Sequence, residues 1–460
     1  MSPVDKEPER PLTKQDIQVR LIVDGCLARG IEVRRGTNDQ GRDDQGRDDQ
    51  DRDDQDNEFL YEAGVILVRD TYLDQVRALL RLERDDDANA RDDDANADDG
   101  FIDGVTALSL VRAGEPIPDP VAVVDLIDRR LGEGVATPSH IFSVTPVYHC
   151  PATEPEEVPI HTLPYPGICD GGGEGTLIYI SDTGLLDGAS GHPWLAGVTG
   201  SVDDLGPPDA TGAPTIPGYA GHGTFIAGVA RCMAPLSAIH VARDFDASGA
   251  LSEREIVVRL NEALRRGADI ISLSAGGFTR KHLPPLSFEA FWNRYRHYKG
   301  VVMVAAAGNN SQRRPFWPAA FPQVVSAGAL AASWRARAYF SDFGPWVDVY
   351  APGEALVNAF ATGTYTCREP PNEGQERHFH GMARWSGTSF STPLVAGLIA
   401  ARMSRTGENG RQAADALLAS ARAQALPGVG PVLYPCDRGE DCHCRGEERR
   451  EHRHHCGCCH

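Results

Sequence analysis

Long apolar runs are missing from this chain of 460 residues. No stretch of about 18 apolar residues occurs, which argues against a membrane-spanning helix. Residues Met1 to Asp16 are polar and lack the apolar segment of a secretory signal. The expected compartment is therefore the cytoplasm, with secretion as the alternative if the natural start lies upstream of Met1. Positive charge is also scarce. The formal net charge is −20, so the basic surface that nucleic-acid binding needs is not there.

The acidity is concentrated. Residues 36–58 and 83–103 together supply −15 of the −20. Both are short tandem repeats: Arg-Asp-Asp-Gln recurs at 42–45, 47–50 and 52–55, and Arg-Asp-Asp-Asp-Ala-Asn-Ala at 84–90 and 91–97. Such periods are too short for solenoid units. Dense like charge predicts solvated surface loops. Asp94, Asn96 and Asp98 match the first ligand positions of an EF-hand loop. Asp99 and Val105 then stand where Gly and Glu are needed, so no calcium loop is specified there.

Six of the eleven cysteines and five histidines lie in residues 436–460. Thiolate and imidazole suit zinc or copper, and loose metal binding by this tail is one expectation. A pair of Cys-x-x-Cys units, the spacing of a structural zinc module, is missing.

The middle of the chain carries the chemistry. Leu177 to Ile180 is apolar and β-branched, a buried-strand pattern that runs into Ser181-Asp182-Thr183-Gly184. His222 stands between glycines and before the apolar run Phe225 to Ala230. Val301 to Ala307 is a second buried strand, ending in Gly308-Asn309-Asn310. Ser389 lies in Ser386-Gly387-Thr388-Ser389-Phe390-Ser391-Thr392-Pro393, just before an apolar helix, where the helix N-terminus favours negative charge. Taken singly these are ordinary: a turn Asp, a loop His, an N-cap Ser. Together they supply what a serine nucleophile needs. His222 can take the hydroxyl proton, Asp182 can orient His222, and Asn309 with the Ser389 amide can hold an oxyanion.

These segments, in the order Asp, His, Ser, resemble the subtilisin-like serine proteases, the subtilases. The resemblance covers roughly residues 165 to 430. It extends to Ile270 to Gly277, to Trp317-Pro318-Ala319-Ala320-Phe321-Pro322, and to the stretch Phe340 to Gly353. It implies an α/β fold: a parallel sheet with helices on both faces, preceded by a small α+β N-terminal domain. It implies a serine endopeptidase acting on protein or peptide substrates through an acyl-enzyme. Asp182, His222 and Ser389 would be catalytic and Asn309 would line the oxyanion hole. Ser274, Ala275 and Gly276 would pair with substrate as an added strand. Phe316 would sit near the floor of the primary pocket and make it shallow, favouring small side chains before the cut. No cofactor is required. Calcium often stabilises relatives, but no convincing ligand set is visible here. Phe225 stands where relatives often have a second His and is expected only to pack. His378 and His380 fall in a polar stretch, 364–380, that reads as a mobile insertion. A sedolisin-type peptidase, which uses Glu for His and Asp for the oxyanion, is the alternative within the class. A silent binding scaffold is the alternative outside it.

The expected organisation is a disordered start (1–16), an N-terminal domain (17–150), a proline-rich linker (151–166), a peptidase domain (167–432) and the Cys/His tail (433–460). Within the N-terminal domain, Gly64 to Val68, Val105 to Val111 and His140 to Val144 read as strands. Leu73 to Leu80 and Val121 to Ile127 read as helices, the latter opened by Asp119-Pro120. By resemblance, this domain could fold onto the peptidase domain and inhibit it, with the linker exposed for processing.

Overall fold

The computed structural model describes residues 14–38, 58–82, 102–112, 114–144, 153–246, 248–298 and 300–435. The start, the bulk of both acidic repeats and the Cys/His tail from Cys436 lie outside the described residues.

The N-terminal domain runs α1 (Lys14–Ala28), β1 (Val33–Thr37), β2 (Glu58–Arg69), α2 (Leu73–Leu82), β3 (Val105–Ser109), α3 (Pro120–Leu131) and β4 (Ala136–Ser143). The apolar residues Ile17 to Leu27 belong to α1. The α3 start is capped as its sequence implies. Pro120 opens the helix, and the Asp119 carboxylate accepts the Val121 N–H at 3.2 Å. Every residue of β4 is buried.

The second unit is built on a seven-stranded sheet. Its elements are β5 (Leu177–Asp182), β6 (Thr199–Gly200), α4 (His222–Met233), β7 (Ala238–Arg243), β8 (Ala250–Ser252), α5 (Glu253–Arg265), β9 (Ile270–Leu273) and α6 (Leu286–Tyr295). There follow β10 (Val302–Ala306), β11 (Val324–Leu330), β12 (Val349–Pro352), β13 (Leu356–Thr366), β14 (Glu376–Trp385), α7 (Thr388–Thr406) and α8 (Gly410–Ala423). The sheet order is β12-β11-β10-β9-β5-β7-β6, and every pair is parallel. The crossover helices bury both faces of the inner strands, which is why β9 to β12 are buried throughout and do not alternate, while β7 and β6 at the far edge are partly exposed. One apolar cluster packs α4 and α7 against one face; a second packs α5 and α6 against the other.

The two units are not separate bodies. β4 pairs antiparallel with β8, so the order β1-β2-β4-β8, with β3 also on β2, forms one sheet across both units. The α5/α6 cluster continues into Leu67, Val105, Phe142 and Val144 of the N-terminal domain. Charge complements this apolar seam. Glu62 pairs with Arg254 at 3.1 Å, Asp128 with Arg280 at 2.8 Å and Glu133 with Lys281 at 2.6 Å. Arg29, just after α1, reaches Asp246 at 3.3 Å and Glu255 at 3.5 Å.

Two sequence expectations need correction. The stretch 364–380 is not a mobile insertion; it forms much of the β13–β14 hairpin, in regular antiparallel register from Thr362↔His380 to Thr366↔Glu376. Tyr365, Cys367 and Phe379 are its buried apolar residues, and the polar composition around them hides them from a reading by charge alone. The linker is not free from residue 153 onward. Glu154 is buried and accepts from Tyr365 Oη at 2.9 Å and Arg368 N–H at 2.6 Å. Glu156 bridges Arg384, and Tyr165 bridges Val357. Ile160 and Leu163 remain exposed.

Candidate active site

Asp182 ends β5 and is fully buried. Its Oδ1 accepts from the Thr183 N–H at 2.8 Å and from His222 Nδ1 at 2.7 Å. His222 is the first residue of α4 and is also fully buried. The chain enters that helix through Gly221 at φ 86°, and a Cβ there would come within 2.7 Å of the Phe360 ring. Only glycine serves at that point. Because Nδ1 donates to Asp182, the proton is assigned to Nδ1, and Nε2 keeps its lone pair. Nε2 has no hydrogen-bond partner among the described residues.

The walls around His222 are aromatic. Trp385 lies edge-on at 5.5 Å and Phe390 at 5.5 Å between ring centroids. Phe225 lies against them, tilted at 4.5 Å from Phe390 and edge-on at 5.8 Å from Trp385. It packs, as expected, and fixes the two rings that flank the imidazole.

Ser389 is the second residue of α7. The Ser274 hydroxyl donates to its carbonyl at 2.9 Å, tying the helix start to the strand edge after β9. Asn309 follows β10. Its Oδ1 accepts from the Thr388 N–H at 2.8 Å and the Thr388 hydroxyl at 2.9 Å. Those two donors set which end of the amide is oxygen, so Nδ2 faces the other way. Nδ2 is buried and has no partner among the described residues. Ser389 and Asn309 line one cavity with Ser274, Ala275, Gly276 and Phe316. The sequence candidates thus fall in two groups, Asp182 with His222 and the residues of this cavity, and Phe390, the residue after Ser389, lies between them with its ring 5.5 Å from His222. His378 and His380 lie on β14 instead, and His378 faces Thr364 at 3.3 Å.

Two acids near the site escaped the sequence reading. Asp203 accepts from Gly221 N–H at 2.7 Å and Thr183 Oγ1 at 3.0 Å, so it locks the end of β5 to the start of α4. Burial pushes its carboxyl up to about 6, against those hydrogen bonds. Asp342 accepts from the N–H groups of Asn310 and Gln312, each at 2.8 Å, and so braces the turn after Asn309. Burial pushes it up to about 7. Asp is so common in turns that neither could be singled out by sequence alone.

The cleft holds the chain's own strand. Ser143 and Gly276 exchange backbone hydrogen bonds at 3.0 and 2.9 Å, and the Val144 N–H donates to Gly249 O at 2.8 Å. With β8 on its other side, β4 is sandwiched between both edges of the cleft. Ser143 and Val144 line the same cavity as Ser389. Phe316 lines this cavity: it is buried, stands 5.4 Å from the Phe278 ring, and would touch a Cβ on Gly276 at 2.4 Å.

Residues 173–431 match the model of the subtilase family, Peptidase_S8. The chain belongs to the subtilase family. This subtilase is 32% identical to the thermophilic serine proteinase of Bacillus sp. (strain AK1) over 219 residues, 45% of the chain and 48% of that proteinase. It thus spans about half the length of that relative. It is 32% identical to thermitase of Thermoactinomyces vulgaris over 256 residues, 53% of the chain and 81% of thermitase. Among solved structures it resembles fervidolysin from Fervidobacterium pennivorans, with a TM-score of 0.51 at 18% identity, covering 81% of this chain and 60% of that one. This last likeness speaks for the fold alone. No group of three or more His, Cys, Asp or Glu among the described residues of the subtilase could hold a metal ion. No described helix is long and apolar enough to cross a membrane. The zinc or copper expectation falls on the tail, outside the described residues.

Proposed function

We propose that this subtilase is a serine endopeptidase in which Asp182, His222 and Ser389 are catalytic, Asn309 is an oxyanion donor, and β4 holds the cleft closed. One observation carries the reading. Besides Asp182 Oδ2, the buried site leaves unpaired an acceptor, His222 Nε2, and a donor, Asn309 Nδ2. Buried polar atoms left unpaired are costly. These two are the atoms that acyl transfer needs free.

In the proposed reaction His222 Nε2 takes the Ser389 hydroxyl proton as Oγ attacks the scissile carbonyl. Asp182 holds the imidazolium that forms. Asn309 Nδ2 and the Ser389 N–H take the charge on the carbonyl oxygen. His222 then returns the proton to the leaving amine, and water repeats the sequence on the acyl-enzyme. Substrate would enter as a strand against Ser274, Ala275 and Gly276, where main-chain pairing tolerates many sequences. Phe316 favours a small side chain before the cut. The pairing of Ser143 and Val144 supports the view that β4 competes with substrate for this place.

The test is labelling with a fluorophosphonate probe. The full chain should label at Ser389, and Ser389→Ala should not. If neither the full chain nor a variant with a loosened β4 labels in a Ser389-dependent way, the peptidase reading fails.

A further inference from the structure

Glu253 is the first residue of α5 and is fully buried at the end of the cleft remote from Ser389. Its Oε2 accepts from the Ser287 N–H at 3.1 Å. Its Oε1 accepts twice from one residue of β4: from the His140 N–H at 3.2 Å and from His140 Nδ1 at 2.8 Å. The other ring nitrogen, Nε2, accepts from the Arg280 N–H at 3.1 Å. His140 is therefore a neutral ring that donates on one side and accepts on the other. The Arg280 guanidinium is occupied elsewhere, by Asp125 and Asp128.

A peptide that replaces β4 in the same register inherits this seat. His140 stands three residues before Ser143, the residue paired with Gly276. The peptide's own backbone N–H at that position replaces one donor to Glu253. The second donor to Glu253, and the acceptor for the Arg280 N–H, must come from its side chain. Leu supplies neither, so the carboxylate loses one of its three donors and the buried Arg280 N–H goes unpaired. Lys donates but cannot accept. A neutral imidazole does both.

Resting on the cleft reading above, we propose that Glu253, with the Arg280 N–H, is a specificity-determining site. It selects substrates carrying histidine three residues before the residue seated on Gly276. Sites built to hydrogen-bond a side chain reject analogues lacking the group strongly.

The test uses the full chain and peptides that keep the β4 sequence Ile-Phe-Ser-Val after a variable residue, His, Leu or Lys. An intramolecular competitor lowers kcat/KM for all of them by the same factor, so their ratio is unaffected. His should exceed both Leu and Lys by at least about tenfold. In Glu253→Ala the His-to-Leu ratio should fall to within about twofold of one. Ser389 labelling of that variant checks its fold, and Glu253→Gln replaces it if the fold is lost. Equal rates for His and Leu in the native chain, or a preference that survives Glu253→Ala, would overturn the assignment. The same ratio read as Kd on Ser389→Ala tests the seat without cutting. Loss of cutting with an intact Kd ratio therefore counts against the peptidase reading alone.

Discussion

Phe142→Ala should switch the full chain on. Phe142 is fully buried at the seam, its ring 5.9 Å from Phe288. Gly277 backs it so closely that a Cβ there would approach the ring to 2.7 Å. Truncating a buried Phe to Ala costs about 3–5 kcal/mol through lost burial and the cavity left behind. In the released state the same side chain is largely in water, so most of the loss falls on the docked form. If 3 kcal/mol is lost, the open fraction rises ~150-fold. If 5 kcal/mol is lost, it rises by a few thousandfold, until the cleft is fully open. The assay is hydrolysis of a short peptide with a small residue before the cut, run beside fluorophosphonate labelling. Both rates should rise by about two orders of magnitude, with Tm falling. The conservative Phe142→Leu should lie between. A lower Tm with neither rate increased would show that β4 does not compete with substrate, and the autoinhibition argument would fail.

Three further outcomes are expected. Asn309→Asp keeps an acceptor for Thr388 but replaces the free Nδ2 with a carboxylate oxygen. Turnover should fall by at least about 10²–10³, a range measured for one such donor in subtilisin and not worked from this structure; a loss under tenfold in steady-state kinetics would remove Asn309 from the oxyanion site. Phe316→Ala should open the cavity floor, and a peptide series should show the preference before the cut moving towards Leu and Phe by roughly tenfold or more. An unchanged series would mean Phe316 is not the floor. Asp203 has a carboxyl raised from 3.8 to about 6, so the folded state holds its proton more tightly than the unfolded state. Its contribution to stability is full at low pH, falls as pH rises from about 4 through about 6, and is flat above, a total of on the order of 3 kcal/mol. Asp203→Asn should flatten that part of the Tm-against-pH curve; a curve parallel to the native one would refute the shift.

The peptidase half was legible because its chemistry needs a fixed local grammar. Asp182 at a strand end, His222 and Ser389 at helix starts, and Asn309 after a strand each announce their element by the apolar run beside them. The observed strand Ile270–Leu273 opens the stretch Ile270 to Gly277 that carries part of the resemblance. What sequence hid was partnership between distant segments. Nothing in the polar residues of Thr364 to His380 tells that they pair across a hairpin. His140 and Glu253, 113 residues apart, look like any His in a strand and any Glu opening a helix. Their meaning lies in a contact, and one chain read along its length does not contain it.

The shared sheet limits how the cleft can open. A domain that merely capped the site could leave by breaking surface ion pairs, each worth about 0–1 kcal/mol when exposed. Here departure must strip β4 from β8 and from Gly276, expose Phe142 and Val144, and leave Glu253 with one of its three donors. The buried charge and the apolar surface weigh far more than the surface ion pairs. Raising salt alone should therefore leave the cleft closed, since screening acts on the exposed pair Lys281–Glu133, little on the part-buried pair Glu62–Arg254, and not on burial. Activity of the native chain that rose tenfold between 0.1 and about 1 M sodium chloride would contradict this, because only a charge-held domain responds in that way. Chemistry that competes for β4 itself is the better candidate for opening: a peptide strand that fills the Gly276 edge and satisfies Glu253 replaces what β4 supplies, one hydrogen bond at a time.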